Sequence, residues 1–379
     1  MNCKTIIYAL LPLCALCSCV KDLRKEDSPS RDIVFNSPII AKASSKAITG
    51  SITDYSTSES FKVWGLYSDS DFAGWDETAS GNTLYIPGDV ATYDANINDA
   101  SEGQGGWKTS TTYYWPKSGK VTFAAMSPAD ASGDATSISY GNGGLKIDGF
   151  SIKSEPTQQY DLMYSERALN KNTSAGINTM YDGVDLVFRH ALASIKFRFR
   201  TSFNYEATPI QIKSVRILNA YSHGDFRENV DETQSSSYIS APAWTNHSEL
   251  TQYSAAPSTL NQSITNVISD LEGGYDLLLM PQEFLHSGAG INNSNNHVKI
   301  EIRYEQGGTL QTGIVDLVNG FDTTGDGVGN DYFYDGGTRI TGWAPGKRYI
   351  YTITFGKFKI LFTPTVIDWN DIVEPSIEI

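Results

Sequence analysis

One acidic, glycine-rich segment has the residue types of a cation site. Residues 322–331 read Asp-Thr-Thr-Gly-Asp-Gly-Val-Gly-Asn-Asp and resemble the first half of a calcium-binding loop. Oxygens at alternating positions would come from Asp322, Thr324, Asp326 and Asn330. Phe333 stands where such a loop needs a bidentate glutamate. Because Asp and Gly are also common turn residues, the pattern favours an ordinary hairpin loop over a calcium site.

No other arrangement of residues indicates catalysis. A nucleophile motif, a glycine-rich phosphate loop and a helical His pair are all absent from the sequence. Carboxylates are plentiful, but nothing selects two of them as a glycosidase pair. The five histidines are scattered without metal-ligand spacing, at His190, His223, His247, His286 and His297. We therefore expect a protein that is not an enzyme and has no cofactor.

Three tryptophans lie in polar stretches where an exposed ring could bind a ligand. Aromatic residues make up 12% of the chain, and Trp75, Trp107 and Trp244 are flanked by loop-type residues. Exposed indole rings can stack on sugars, although most aromatic residues of a β-rich protein belong to its core. These three residues are the feature that would argue for glycan binding.

The N-terminus has the pattern of an export signal. Lys4 precedes an apolar stretch at residues 6–16, which is too short to span a bilayer as a mature helix. The following Leu-Cys-Ser-Cys, ending at Cys19, resembles a bacterial lipobox and predicts cleavage after residue 18 with lipid on Cys19. All four cysteines lie at or before this point, so the mature chain has no pair to form a disulfide.

Charge and length narrow the class of protein further. The chain has 29 basic and 43 acidic residues, a net charge of −14, and loss of Lys4 with the signal makes it −15. This charge argues against nucleic acid as a partner and against binding to an anionic membrane surface. The 361 residues that follow residue 18 of the 379 are too many for one ordinary core, so we expect two domains.

From residue 32 onward the pattern is that of β-structure. Short runs of β-branched and aromatic residues alternate with clusters of Gly, Ser, Asn and Asp, which predicts an all-β protein. Residues 184–200 alternate most clearly and predict two strands with a kink near His190. Residues 348–355 and 358–363 predict a hairpin with a tight turn at residues 356 and 357. Residues 222–263 are polar and predict a long surface excursion with at most short strands.

These patterns predict a division of the chain. Residues 1–18 are the signal peptide and residues 19–31 a lipidated, flexible tether. An N-terminal β-sandwich would cover residues 32–182 and a C-terminal β-sandwich residues 183–379, since residues 168–182 are rich in Asn, Ser and Gly.

Several short strings of residues follow one another across nearly the whole mature chain. They are the lipobox, Phe61-Lys62-Val63-Trp64-Gly65, Tyr114-Trp115-Pro116, Phe123-Ala124-Ala125-Met126-Ser127-Pro128, Asp161-Leu162-Met163-Tyr164, His190-Ala191-Leu192-Ala193, Leu279-Met280-Pro281-Gln282, Gly346-Lys347 and Asp368-Trp369. Each string is weak alone, but together and in this order they resemble the fimbrillin family of Bacteroidia-type surface lipoproteins.

The resemblance implies a structural or adhesive subunit of a fimbrium. It implies two tandem β-sandwich domains, of the transthyretin-like or Greek-key type, anchored to the outer membrane by lipid. Assembly would occur by strand exchange with other fimbrial subunits after a protease removes an N-terminal segment, and a host glycan or protein could be the adhesion ligand. The displaced strand would include Ile33, Val34 and Phe35. Candidate cleavage points are Arg31, Lys42 and Lys46.

An alternative function shares the same sequence features. A lipid-anchored glycan-binding protein of a polysaccharide-uptake system would have the same signal, acidity, tandem sandwiches and loop tryptophans. It would remain full length, whereas a polymerising fimbrial subunit should be trimmed near residues 31–46. The position of the subunit in the fimbrium, whether stalk, tip or anchor, stays open at this point.

Overall fold

The structure is a computed structural model. It describes residues 32–40, 55–97, 105–172, 183–203, 206–234, 237–256, 259–286, 294–320, 333–335, 337–356 and 360–369. No α-helix occurs in these ranges, and their only helical turns are the short 3₁₀ segments Ser132–Asp134, Pro156–Gln158 and Ser294–Asn296. The predicted all-β class is therefore confirmed.

The strands before the kink near His190 are mostly short. They are β1 (Ile39–Ile40), β2 (Ser60–Ser68), β3 (Asn82–Asp94), β4 (Gly106–Thr109), β5 (Lys120–Ser127), β6 (Ser137–Gly141), β7 (Gly144–Ser151), β8 (Met163–Ser165), β9 (Ala168–Lys171) and β10 (Val187–His190).

The strands after the kink include the longest one. They are β11 (Ala193–Thr201), β12 (Ile210–Arg227), β13 (Ala243–Ser254), β14 (Gln262–Ile264), β15 (Ser269–Asp270), β16 (Leu277–Leu279), β17 (Lys299–Gln306), β18 (Thr309–Asp316), β19 (Tyr334–Asp335), β20 (Thr338–Arg339), β21 (Lys347–Phe355) and β22 (Ile360–Asp368).

Three main sheets are built from these strands. The first has the order β1-β10-β8-β5-β2-β3-β4, with β9 also paired to β5. The second has the order β15-β11-β21-β22, with β16 paired to β11. The third has the order β18-β17-β12-β7-β6, with β13 and β14 also paired to β12, and β19 with β20 forms a separate small ribbon.

The kink near His190 is the point where the chain changes sheets. β10 ends at His190 in the first sheet, and β11 starts at Ala193 in the second. Between them, the Ala191 carbonyl accepts a hydrogen bond from the Trp244 indole (2.8 Å), and the Leu192 carbonyl accepts one from the Gly346 amide (2.9 Å). The backbone groups freed by the change of sheet are thus satisfied inside the protein.

The alternating apolar residues fill two separate clusters. The smaller cluster lies behind the first sheet and is rich in aromatic rings, among them Phe35, Phe61 and Phe123. The larger one joins the other face of the first sheet, through Trp64 and Leu66, to the interior of the second and third sheets. Successive residues of β2 therefore contribute to different clusters, as the two-residue period of a strand requires.

Two sequence expectations are wrong in detail. Residues 222–263 are not a surface excursion, because β12 continues to Arg227 and pairs with the twelve-residue β13. The polar composition of these residues reflects the exposure of many β13 side chains to solvent. The hairpin of β21 and β22 does form, but Phe355 pairs with Ile360, so four residues rather than two separate the strands.

Strands from the two sides of the expected domain boundary, between residues 182 and 183, pair with each other. The β6–β7 hairpin pairs with β12 in the third sheet, while β10 pairs with β8 in the first. The first and third sheets therefore each contain strands from both sides of this point. A boundary between independently folding units there stays a prediction. No helix in the described ranges has the length and apolar character needed to cross a membrane.

Candidate assembly site

An extended N-terminal segment closes the first sheet. We call residues 32–40 the closing segment. Its first half lies antiparallel to residues 107–114, with bridges from Asp32 to Tyr114 and from Phe35 to Trp107. Its other edge runs parallel to residues 184–188, where Phe35 bridges Val184 and β1 pairs with β10. The segment therefore lies between two edges of the sheet that it joins.

Backbone hydrogen bonds hold the segment on both sides. Towards β4 and the residues after it, Ile33 N–H donates to Tyr113 O (2.8 Å), and Phe35 and Trp107 exchange two bonds (2.8 and 2.9 Å). On the other side, Asn36 N–H donates to Val184 O (3.1 Å), Val184 N–H to Val34 O (2.9 Å) and Ile39 N–H to Leu186 O (2.9 Å). None of these bonds depends on the identity of a side chain in the segment.

Alternate side chains of the segment fill the smaller cluster. Ile33 and Phe35 are 2% and 0% exposed, whereas Val34 between them is half-buried. The Phe35 ring meets Phe61 and Phe123 edge to face, each at a centroid distance of 5.6 Å and an angle of 88°. Removal of the segment would leave a pocket lined by aromatic rings between two unpaired backbone edges.

Two glycines let the segment lie close to its neighbours. A Cβ on Gly106 would come within 3.0 Å of the Phe35 carbonyl oxygen. Gly183 has a φ of +103°, and a Cβ there would lie 2.2 Å from Asn36 Oδ1. The Asn36 side chain donates to Asp185 Oδ1 (2.7 Å), which fixes the outer rim of the segment.

A buried ion pair joins the first and third sheets on the opposite side of the first sheet. Arg167, between β8 and β9, donates two hydrogen bonds to Glu232 (2.7 and 2.6 Å) and one to the Tyr140 hydroxyl (2.8 Å). Its guanidinium carbon lies 5.3 Å from the Phe72 ring centroid and 5.5 Å from that of Trp75. Burial opposes ionisation of Glu232, but hydrogen bonds and the charge of Arg167 outweigh it and lower the Glu232 pKa.

A second carboxyl beside this pair is more deeply buried. Glu228 has no exposed surface and accepts a hydrogen bond from the Leu145 amide (2.6 Å) as well as one from the Tyr238 hydroxyl. Burial raises the pKa of Glu228 to about 7, and the Leu145 and Tyr238 hydrogen bonds and the Arg167 charge act in the opposite direction. This carboxyl therefore changes its protonation state within the physiological range.

Several residues singled out in the sequence lie outside the described ranges. These are Cys19, Arg31, Lys42 and Lys46, together with the calcium-loop residues Asp322, Thr324, Asp326 and Asn330. Within the described ranges, no group of His, Cys, Asp and Glu residues has the arrangement of a metal site. Ile33, Val34 and Phe35 are placed together in the closing segment.

The three loop tryptophans are part of the core instead of the surface. Trp75 and Trp107 are 2% exposed and Trp244 is 8% exposed. Trp107 packs edge-on against Tyr93 at 5.0 Å, and Trp75 against Tyr140 at 4.6 Å. The expectation that these rings could stack on sugars is therefore wrong, because their faces are covered by other side chains.

No local sequence pattern indicated the ion pair. Arg167 and Glu232 are separated by 65 residues, and neither lies in an unusual local pattern. The packing of Phe72 and Trp75 against the Arg167 guanidinium cannot be recognised without the fold. Asn36 and Gly183 were also missed, although a glycine next to a polar loop is a weak signal for close approach.

The fold agrees with that of related proteins. Residues 58–369 match the model of the family described as fimbrillin-like, and the chain belongs to this family. A fimbrial protein from Bacteroides vulgatus shares the fold, with a TM-score of 0.53, 14% identity, and coverage of 90% of this chain and 100% of that one. No curated protein matches the sequence.

Two other solved structures are less similar. The tip fimbrial protein Mfa3 from Porphyromonas gingivalis, with a C-terminal truncation, has a TM-score of 0.37 and 11% identity over 89% of this chain and 100% of that one. A protein assigned to cell adhesion from Bacteroides ovatus has a TM-score of 0.46 and 13% identity over 92% of this chain and 100% of that one.

Proposed function

We propose that this protein is a structural and adhesive subunit of a bacterial surface fimbrium, without enzymatic activity, and that it assembles by exchange of the closing segment for a strand of a neighbouring subunit. The observation that carries the proposal is the position of residues 32–40 between two sheet edges, with Ile33 and Phe35 in the core. Membership of the fimbrillin-like family and the fimbrial relative of the same fold support it.

The contacts of the segment suit replacement by another strand. Backbone hydrogen bonds on both edges and two inward-pointing apolar side chains hold residues 33–39. Any strand with alternating apolar residues can supply such contacts, since backbone bonds give affinity and side-chain pockets give register. The vacated edges would otherwise expose unpaired amide and carbonyl groups, so an incoming strand is strongly favoured.

The position of the segment discriminates among the three candidate cleavage points. A cut after Arg31 would leave residues 32–40 joined to the rest of the chain through residue 41. A cut after Lys42 or Lys46 would separate the closing segment from the fold, so that only non-covalent contacts retain it. We therefore propose Lys42 or Lys46 as the functional cleavage point.

Limited trypsin treatment tests this part of the proposal. The chain from Val20 onward is treated, the new N-terminus is read by mass spectrometry, and oligomers are followed on a native gel. The K42Q/K46Q double variant should lose the ability to form ladders, whereas the R31Q variant, which also removes one positive charge, should keep it. Ladders from the double variant, or trimming of the normal chain without ladders, would contradict strand exchange.

We also propose that the protein reaches the cell surface as a lipoprotein anchored to the outer membrane through Cys19. The acyl chains would add about 0.8 kcal/mol per buried methylene to membrane binding. Labelled palmitate should be incorporated into the normal protein and not into a C19S variant, which should be released from the membrane fraction. Equal labelling of both proteins would show that the anchor is elsewhere.

A further inference from the structure

The outermost strand of the third sheet has an open edge. β18 pairs with β17 over eight consecutive residue pairs without a shift in register, and within the described ranges it pairs with no other strand. Its outer face carries two large apolar side chains, Leu310 at 62% and Ile314 at 58% exposure. A long, flat, apolar edge of this kind is a template for another strand.

Two other sheet edges in the described ranges are protected against such pairing. β22, at the edge of the second sheet, contains Pro364, which cannot donate a backbone hydrogen bond. β6, at the opposite end of the third sheet, has only five residues. β18 has eight residues without proline or a basic side chain, and its one charge is Asp316 at its end. Its edge therefore lacks the usual protection.

The turn before β18 fixes which backbone groups point outward. Gly307 and Gly308 have φ values of 58° and 81° and connect the paired residues Gln306 and Thr309. The residues flanking a two-residue hairpin turn exchange both hydrogen bonds, and every second pair along the ladder repeats this. The N–H and C=O groups of the alternate residues Leu310, Thr312 and Ile314 therefore point away from β17.

We propose that two copies of this protein associate side by side by pairing their β18 strands antiparallel about Thr312. This register places Leu310 of one copy opposite Ile314 of the second, and the two Thr312 residues opposite each other. The outward N–H and C=O groups of Leu310, Thr312 and Ile314 in the two copies then pair, forming about six hydrogen bonds. The two third sheets become one continuous sheet.

The order of residues in β18 supports a second copy as the occupant. The apolar residues are placed symmetrically about Thr312, two positions to either side, so that the edge is complementary to itself. A two-fold interface requires such self-complementarity. The whole chain has a net charge of −14, so two copies repel each other, but Thr309 to Val315 carries no charge. The edge is thus a surface on which two acidic chains can meet.

Cysteine pairing tests the register directly. In the chain from Val20 onward, which has no cysteine of its own, T312C should form a disulfide-linked dimer under mild oxidation. The two Cα atoms would be about 5.5 Å apart, within reach of a disulfide. I314C alone should not cross-link, because the two copies of that position would be about 14 Å apart along the strands. A mixture of L310C and I314C chains should cross-link.

Equal cross-linking of T312C and I314C, or none from T312C, would overturn the proposed register. The association itself is checked by sedimentation of the untrimmed chain, in which the closing segment is still present, so that strand exchange does not contribute. A dimer that forms with rising concentration should be lost in T312P, whose missing N–H points away from β17, and in I314K.

A matched control separates this effect from general changes in the surface. V267K places the same charge at a side chain that is 68% exposed in a turn outside β18, and it should leave the dimer unchanged. Far-UV circular dichroism of T312P and I314K should equal that of the normal chain. A chain that stays monomeric at all concentrations up to about 100 µM would reject the proposal, because a dimer with a larger dissociation constant would be weaker than typical specific interfaces. A dimer unaffected by T312P and I314K would also reject it.

Discussion

The closing segment and the Arg167–Glu232 ion pair both lie against the first sheet, but they use different kinds of contact. The segment is held by backbone hydrogen bonds and two apolar side chains. The ion pair needs a guanidinium with a fixed fork of donors, a carboxylate and three aromatic rings in one place. A strand from another subunit can reproduce the first set of contacts but not the second. The two regions therefore differ in how specific their contacts are.

The largest expected effect is that of F35A. Truncation of this fully buried ring should destabilise the packing of the closing segment by about 3 to 5 kcal/mol, because it leaves a cavity between Phe61 and Phe123. Hydrogen exchange followed by mass spectrometry should show faster exchange in residues 107–114 and 184–188. V34A, at the half-buried position between the two buried ones, is the control and should change exchange little. Equal effects of the two variants would contradict the assigned facing of the strand.

The next effect is that of R167M, which leaves Glu232 without its partner. Arg167 is 7% exposed, and the loss of one member of a buried ion pair should cost about 3 kcal/mol. The midpoint of urea unfolding, followed by tryptophan fluorescence, should fall. R303M, at a side chain that is 50% exposed, should have almost no effect.

A double variant sharpens this prediction. R167M/E232L removes both charges and should recover most of the lost stability, because no uncompensated carboxylate remains. Equal loss in R167M and in the double variant would show that the packing of the arginine stem on the aromatic rings, rather than the charge pair, is what matters.

The pH dependence of stability should depend on Glu228. Its pKa is raised from 4.5 to about 7 in the folded protein, so folding favours the protonated carboxyl. The stabilisation is fully present below pH 4.5 and is lost as the pH rises through 7, a change of about 3 kcal/mol or less. The E228Q variant should lack this component when unfolding midpoints are measured between pH 4.5 and 8. An unchanged pH profile would contradict the assignment.

The smallest effect is expected at the rim of the closing segment. N36A removes the hydrogen bond to Asp185 and should cost about 1 kcal/mol, because the bond is near the surface. The measurement is a double-mutant cycle with D185A, in which the two losses should not add. Additive losses would indicate that the side chains do not interact, and that backbone bonds alone hold this end.

Local pattern was sufficient to predict many of the strands but, apart from the β21–β22 hairpin, not their partners. The alternation of Val184, Leu186 and Phe188, and of Ile195, Phe197 and Phe199, placed buried faces correctly, since all six side chains are at most 1% exposed. The pattern also placed a kink near His190. That the kink is a change of sheet followed only from the pairing of β10 and β11 with different strands.

The end of β12, from residue 222 onward, and the whole of β13 were missed for a physical reason. Many residues of β13 are exposed, so apolar alternation, which marks a half-buried strand, is weak there. Pairing with the eighteen-residue β12 makes it a strand regardless of its composition. The prediction for the three loop tryptophans was wrong in the opposite sense, since exposed rings were expected and the rings are buried. Polar neighbours in sequence do not determine whether a ring is covered by residues distant along the chain.

The all-β class and the family could be recognised from the sequence, because they depend on residue types, short motifs and a two-residue period. The tertiary structure was needed to place the closing segment between residues 107–114 and 184–188 and to bring Arg167 to Glu232. It was also needed to show that β18, within the described ranges, pairs on one side only. These are contacts between residues far apart in the chain, and many different pairings of the same strands would satisfy the same local pattern.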